Sequence, residues 1–268
     1  MPRKIFYSGL VQLEKPVKAN LKAFADNGAD GVELFLDGPQ WNDKKASFSN
    51  VKAHLNSYPF AYSVHGPMFD LNLTSENASV RQTALSELKQ AIEIGAEIQA
   101  DHVIIDPGVC LYSIFDKRQA QRRAIEAISE LQQHAKKYEQ PIAIENIGHK
   151  GTELFDQEAF CNLLDHFSDT EMLGLVLDTG HAHLNHWDIP EVIHKTNDQL
   201  LAIHLNDNDG VTDNHLAIGD GTIDWTPVFK ALQHVPDSCR FILEYNTVMP
   251  YHKLQKGKKL LQEFVYRE

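Results

Sequence analysis

IAIEN (142–146), LVLDTGH (175–181), AIHLND (202–207) and FILEYN (241–246) are the stretches on which the reading of this chain turns. Each is a short apolar, largely β-branched run that carries, at or near its end, a residue able to bind a metal: Glu145, Asp178, His204 and Glu244. Helix-like segments separate the runs. In a closed parallel barrel every strand's carboxyl end points to one face, so residues far apart in the sequence converge there. Three carboxylates and an imidazole gathered this way repel one another unless a divalent cation sits among them. The pattern therefore points to a metal site, and through it to an enzyme.

Working outward, the same alternation runs the length of the chain. Further candidate strands are IFYSGLV (5–11), GVELFLD (31–37), AYSVHGP (61–67) and HVIIDPG (102–108). With the first group they make about eight, the number a (β/α)8 barrel needs. Between them lie helix-period segments such as 79–98 and 116–139; in the second, Ala124, Ile128, Leu131 and Ala135 form one apolar stripe with charge opposite. Asp224 is placed to cap a helix that carries Pro227 in its first turn. The rival architecture, an open doubly wound sheet, would usually show a glycine-rich phosphate loop after its first strand; here that turn reads SGLVQLEKP.

Composition fits one α/β domain spanning 1–268. The chain has 268 residues and is 43% hydrophobic, without a Pro/Ser/Gly-rich linker or a short repeat. α/β barrels routinely use this length for a single domain. No stretch is long and apolar enough to span a bilayer, and the opening MPRKIFYSGL lacks the apolar core of a leader. Three cysteines (Cys110, Cys161, Cys239) have neither pair spacing nor density, which suits reduced thiols and a cytoplasmic location. The net charge of −12, from 37 acidic against 25 basic residues, argues against a broad basic face for nucleic acid. It does not exclude one, since bound divalent cations would offset charge around a site.

The polar residues cluster just past the apolar runs: His65 after strand three, Asp106 after strand four, Glu145, then Asp178 with His181, then His204 with Asn206 and Asp207, and finally Glu244. A long loop adds Asp213 and His215, whose i, i+2 spacing lets both face one way if that loop is extended. Singly, each has an ordinary explanation as a helix cap or a satisfied structural histidine; as a set on one face, the metal reading is stronger. Glu33 lies mid-strand, where a structural hydrogen bond is expected of it, and His102 begins its strand at the stability face.

At these positions the sequence resembles the xylose isomerase-like and endonuclease IV-like superfamily of TIM barrels. The resemblance runs over nearly the whole chain, through Gly31-Val32-Glu33-Leu34, HGP, ENIG, DTGHAHL, HLND and DNHLAIGDGTIDW to Glu244. It implies two activities. In the sugar isomerases and epimerases, a Glu–Asp–His–Glu set falling on Glu145, Asp178, His204 and Glu244 surrounds one divalent metal. That metal stabilises the enediolate formed when Glu145 or Glu244 removes a proton and the other returns it. His181 would hydrogen-bond a substrate oxygen, with Asn206, Asp207, Phe69 and Trp225 as pocket walls. The substrate would be a small sugar, sugar phosphate or polyol, and the metal Mn, Mg, Co or Zn.

In the endonuclease IV branch, two or three zinc ions clamp a phosphodiester. His65, Asp106 and Glu145 would hold the first; Asp178, His204 and Glu244, bridged by Glu145, the second; His181, Asp213 and His215 the third. The departure from that branch is Asp106, where histidine is usual. A carboxylate still ligates zinc but shifts preference toward manganese or magnesium. Asp70 near the HGP turn is poorly placed beside a phosphate backbone. A third reading, a degenerate barrel used as a binding scaffold, is disfavoured by the intact set of four. The isomerase or epimerase is the expected activity.

Overall fold

The computed structural model describes residues 4–265, so the first and last three residues of the expected 1–268 domain lie outside the described ones. Eight parallel strands close into a barrel in sequence order, β1 pairing with both β2 and β8. They are β1 Ile5–Ser8, β2 Gly31–Phe35, β3 Ala61–His65, β4 Val103–Ile105, β5 Ile142–Glu145, β6 Leu173–Asp178, β7 Leu200–Leu205 and β8 Arg240–Leu243. Closure removes the doubly wound alternative.

Helices cover the outside: α1 Val17–Asp26, α2 Lys44–Leu55, α3 Ala78–Glu97, α4 Lys117–Lys137, α5 Gln157–Cys161, α6 Thr179–Leu184, α7 Ile189–Thr196, α8 Trp225–Leu232 and α9 Tyr251–Phe264. Their starts are written in the sequence. Asp116 caps α4 by accepting from the N–H groups of Arg118 and Gln119, and Asp224 caps α8 by accepting from Thr226. The α4 stripe is buried as its period requires, at Ala124, Ile128, Leu131 and Ala135. The three cysteines are free and buried.

Two cores result. The larger lies between sheet and helices. The smaller fills the barrel: Phe6, Ile104, Ala143, Val176, Ala202 and Ile242 are fully buried against one another. Strand side chains alternate between faces. The next inward positions are therefore Ser8, Asp106, Glu145, Asp178, His204 and Glu244, while β2 and β3 contribute Glu33, Phe35 and His65. An apolar floor thus supports a polar layer at the carboxyl ends of the strands. The period-2 alternation that packs the barrel also delivers the polar groups.

Candidate metal centre

Three groups of ligand-capable side chains lie at this end, each with donor atoms within 4.8 Å of one another: Glu145, Asp178, His204 and Glu244; His65, Asp106 and Glu145; His181, Asp213 and His215. The first is on strand ends and fully buried. The third reaches the loop between β7 and α8 and is partly open. Glu145 belongs to two groups: Oε1 lies 3.1 Å from His204 Nδ1 and Oε2 3.3 Å from His65 Nε2.

The four imidazoles share one arrangement. His65 Nδ1 donates to the Gly66 carbonyl at 2.8 Å, His181 Nδ1 to the Asn146 carbonyl at 2.8 Å, and His215 Nδ1 to the Glu244 carbonyl at 3.1 Å. His204 is turned the other way, with Nε2 donating to Glu33 Oε2 at 3.1 Å. A carbonyl only accepts, so the anchored nitrogen carries the hydrogen and the other nitrogen is aimed at carboxylate oxygens. Metal-binding histidines are held in this manner, one ring nitrogen fixed by an outer acceptor and the other free to ligate.

Electrostatics tell the same story. Burial alone would lower His204 and His181, but the surrounding carboxylates outweigh it and raise both well above the ordinary histidine value. His65 and His215 are likewise pulled against burial, to about 10 and about 9, by Glu145 and Asp213 respectively. Burial pushes Asp178 up, while Glu145 and Glu244 are held low, against burial, by His204. Asp106 rises to about 7, first through burial, and both its oxygens are buried without a hydrogen-bond partner. Unpaired buried carboxylate oxygens are groups that a cation would satisfy once the imidazoles around them give up their protons. The donor set fits a divalent ion.

His65, Asp106, Glu145, His181, Asp213, His215 and Glu244 line a cavity of about 240 Å³, whereas Asp178 and His204 are fully buried and do not line it. The apolar part of its lining is Leu10, Leu13, Phe35, Met68, Phe69 and Ile147. Phe35 stacks on His65 with ring centroids 4.4 Å apart, and Phe69 leans on Phe35 at 5.9 Å. Asp37 holds the turn after β3 in place, accepting from Met68 N at 2.7 Å and Phe69 N at 3.3 Å.

Of the residues expected to form pocket walls, only Phe69 is found there. Asn206 is fully buried and donates from Nδ2 to Asp178 Oδ2 at 2.5 Å, bracing a carboxylate from behind. A methyl group on Gly180 would overlap the Asn206 side-chain oxygen, which is why that position of α6 has no side chain. Asp207 is also fully buried, accepting from Trp225 Nε1 at 2.8 Å and from the N–H groups of Gly219 and Ile223. Asp207 and Trp225 therefore fasten the loop that carries Asp213 and His215, and neither lines the cavity. That loop is not extended, since His215 sits at φ +40° in the left-handed region. It is nonetheless held so that both residues face His181 or each other, at 3.1 Å and 3.3 Å from Asp213. Sequence reasoning missed the contact of Glu33 with His204, and it missed Phe35. Both share the inward parity of β2, and that parity was the available signal.

The chain superposes on a D-tagatose 3-epimerase-like protein with a TM-score of 0.85 at 24% identity, covering 98% of this chain and 97% of that one. It superposes on the IOLI protein, whose crystal structure holds a zinc atom, with a TM-score of 0.80 at 19% identity and 98% coverage of each. In sequence it is 26% identical over 261 residues to a probable endonuclease 4 of Mycoplasmoides gallisepticum, over 86% of this chain and 83% of that protein. Both branches named by the resemblance are thus represented among proteins similar to it. The model of the xylose isomerase-like TIM barrel matches residues 21–264, and the chain belongs to that family.

Proposed function

We propose that this barrel is a divalent-metal-dependent isomerase or epimerase of a small sugar or polyol. The observation that carries the reading is the buried floor, where Glu145 and Glu244, from β5 and β8, both reach His204 Nδ1 at 3.1 Å beneath a cavity of monosaccharide scale. Pockets for larger, drug-sized ligands run from roughly 300 to 1,000 Å³. Likeness to sugar 3-epimerases supports the same reading.

Glu145, Asp178, His204 and Glu244 would hold the ion, which supplies Lewis-acid stabilisation of the charge that develops on a substrate oxygen. The chain supplies the proton transfer. One of Glu145 and Glu244 takes the proton from the substrate carbon and the other returns a proton to it, so the reaction is balanced without a co-reactant. Glu33 holds His204 so that Nδ1 faces the space between the two carboxylates. His181 lines the cavity and, in its protonated form, would donate from Nε2 to a substrate oxygen in place of Asp213.

One observation favours a second reading. The groups around His65 and His181 are complete enough for further ions, and two or three ions suit phosphodiester hydrolysis. Elemental analysis of protein purified without chelator separates the two, followed by solvent-deuterium exchange into ketoses and incision of abasic-site DNA. About one ion per chain with exchange into a ketose is the expected result. Two or three zinc ions with DNA incision and no exchange would replace this proposal with the hydrolase.

A further inference from the structure

On the outside of the barrel, the exposed face of α4 carries its charges in an order that the helix itself does not favour. Arg118, Arg122, Glu126 and Glu130 follow one another four residues apart and all are exposed, so they form one ridge along the helix. Positive groups near the amino end and negative groups further along oppose the helix dipole, and α4 has no acid in its first turn. Arg118 with Arg122, and Glu126 with Glu130, are like charges at the spacing where like charges destabilise a helix. The one pair of opposite sign, Arg122 and Glu126, stands in the less favourable orientation. Among the described residues, the side chains of Arg118, Arg122 and Glu126 have neither an ion pair nor a hydrogen bond, and Glu130 pairs with Lys89 at 2.5 Å.

Apolar groups stand at both ends of this ridge. Just before α4, Leu111, Tyr112, Ile114 and Phe115 are exposed, Ile114 at 85%. Just after it, Tyr138 is 44% exposed, its ring 5.0 Å from that of His134. These five are more than half of the large hydrophobic side chains exposed among the described residues. They offer on the order of 500 Å² of apolar surface, against roughly 800 Å² per partner in a standard interface. Valleys of about 380 and 500 Å³ flank the ridge, one against α3 and one against α5, and Arg122 and Glu126 border both. Ridges of four-residue spacing seated in such grooves make the commonest helix contact.

Two positive groups followed by two negative ones complement themselves only when turned end for end. A nucleic acid, an anionic bilayer or an acidic segment would suit the arginines but bring like charge against Glu126 and Glu130. The partner that fits carries both signs in reverse order, and a second copy of this chain carries that order. We infer that the protein forms a two-fold dimer through antiparallel packing of α4 on α4. With the axis between Arg122 and Glu126, Arg122 faces Glu126 of the second copy and Arg118 faces Glu130. Loop 111–115 then meets the carboxyl end of the second α4, where Tyr138 stands. Each contact is made twice, as such an interface requires.

Sedimentation velocity of the full chain over a hundredfold range of concentration tests this. A dimer of micromolar affinity or tighter is expected, weakened by salt because charge pairs at its rim are screened. Arg122→Glu and Glu126→Arg should each weaken it at least tenfold. The two changes together should recover most of the loss, since the ridge is then self-complementary again. Ile114→Asp should weaken it without disturbing the fold of the monomer, because that side chain is exposed there. A monomer at every concentration overturns the inference. So does a dimer that none of these variants weakens, or one that the double change fails to recover. Binding of a monomeric chain to duplex DNA or to phosphatidylserine vesicles, abolished by Arg122→Glu, would give the ridge to an anionic partner and overturn it as well.

Discussion

Two histidines inside the same barrel have opposite surroundings. His204, in the polar layer, has Glu33, Glu145, Glu244 and Asp178 within 4 Å and is raised well above its ordinary value. His102, one inward position before Ile104, sits at the amino end, where Nε2 is buried without a partner. Burial there pushes it down to about 3, against the opposing charge of Asp101. Both are almost completely buried, so burial does not distinguish them. Their neighbours do: one end of the barrel keeps an imidazole neutral and contributes to packing, and the other surrounds it with carboxylates and contributes chemistry.

The contrast breaks most visibly at the floor. Glu145→Gln or Glu244→Gln removes a proton-transfer group, and turnover of any substrate the protein accepts is expected to fall about 10²- to 10⁴-fold. Retention of full turnover by either variant would move the chemistry out of the polar layer.

His102 tests the opposite end. Its folded value lies below the unfolded one, so the unfolded chain binds the extra proton. Stability contributed by the neutral form is present above about pH 6.5 and is lost as pH falls toward 3. The unfolding free energy from urea titrations over that window should drop by a few kcal/mol in total, at about 1.4 kcal/mol per unit of difference. His102→Leu should flatten the descent, and parallel curves for the two proteins would mean that His102 is not held neutral.

A smaller effect sharpens the role of Glu33. Glu33→Gln keeps the shape but weakens the acceptor that orients His204, and metal affinity by competition with a chelator should fall 10- to 100-fold. For the unaltered protein the same titration should show affinity rising with pH, because raised imidazoles such as His65 and His215 must release protons before an ion enters. Affinity independent of pH between 6 and 9 would contradict that account. The smallest change belongs to the outer cluster. Asp213→Asn with His215→Gln should alter the affinity of the floor for its first ion less than tenfold, since these residues lie outside the group of four; a larger loss would make the outer cluster part of the primary site.

Much of this was legible in the sequence because one rule served two purposes. Ala143 and Glu145, Val176 and Asp178, Ala202 and His204, and Ile242 and Glu244 are i, i+2 pairs, each an apolar floor residue followed by a polar one on the same face. A run ending that way announces both the strand and the direction of its last side chain. Past the strand ends the rule stops. Asn206 and Asp207 follow β7 at positions that suggested a pocket wall, yet their directions are decided by partners far along the chain, Asp178 for one and Trp225, Gly219 and Ile223 for the other. The left-handed turn at His215 has no local glycine to announce it. The mid-strand place of Glu33 points to a structural hydrogen-bonding residue, and its bonds to Ser8 and His204 are of that kind; local pattern does not reveal that one partner is a ligand-capable imidazole across the barrel.

The two-sided position of Glu145 has a thermodynamic corollary. Its two oxygens face different imidazoles in different groups, so the charge available to an ion on the His204 side depends on what stands on the His65 side. Linkage is reciprocal: whatever factor the first occupant imposes on the affinity for a second, the second imposes on the first. Occupancies of the two groups are therefore cooperative variables, and a binding isotherm that resolves two ions should depart from the sum of two independent curves.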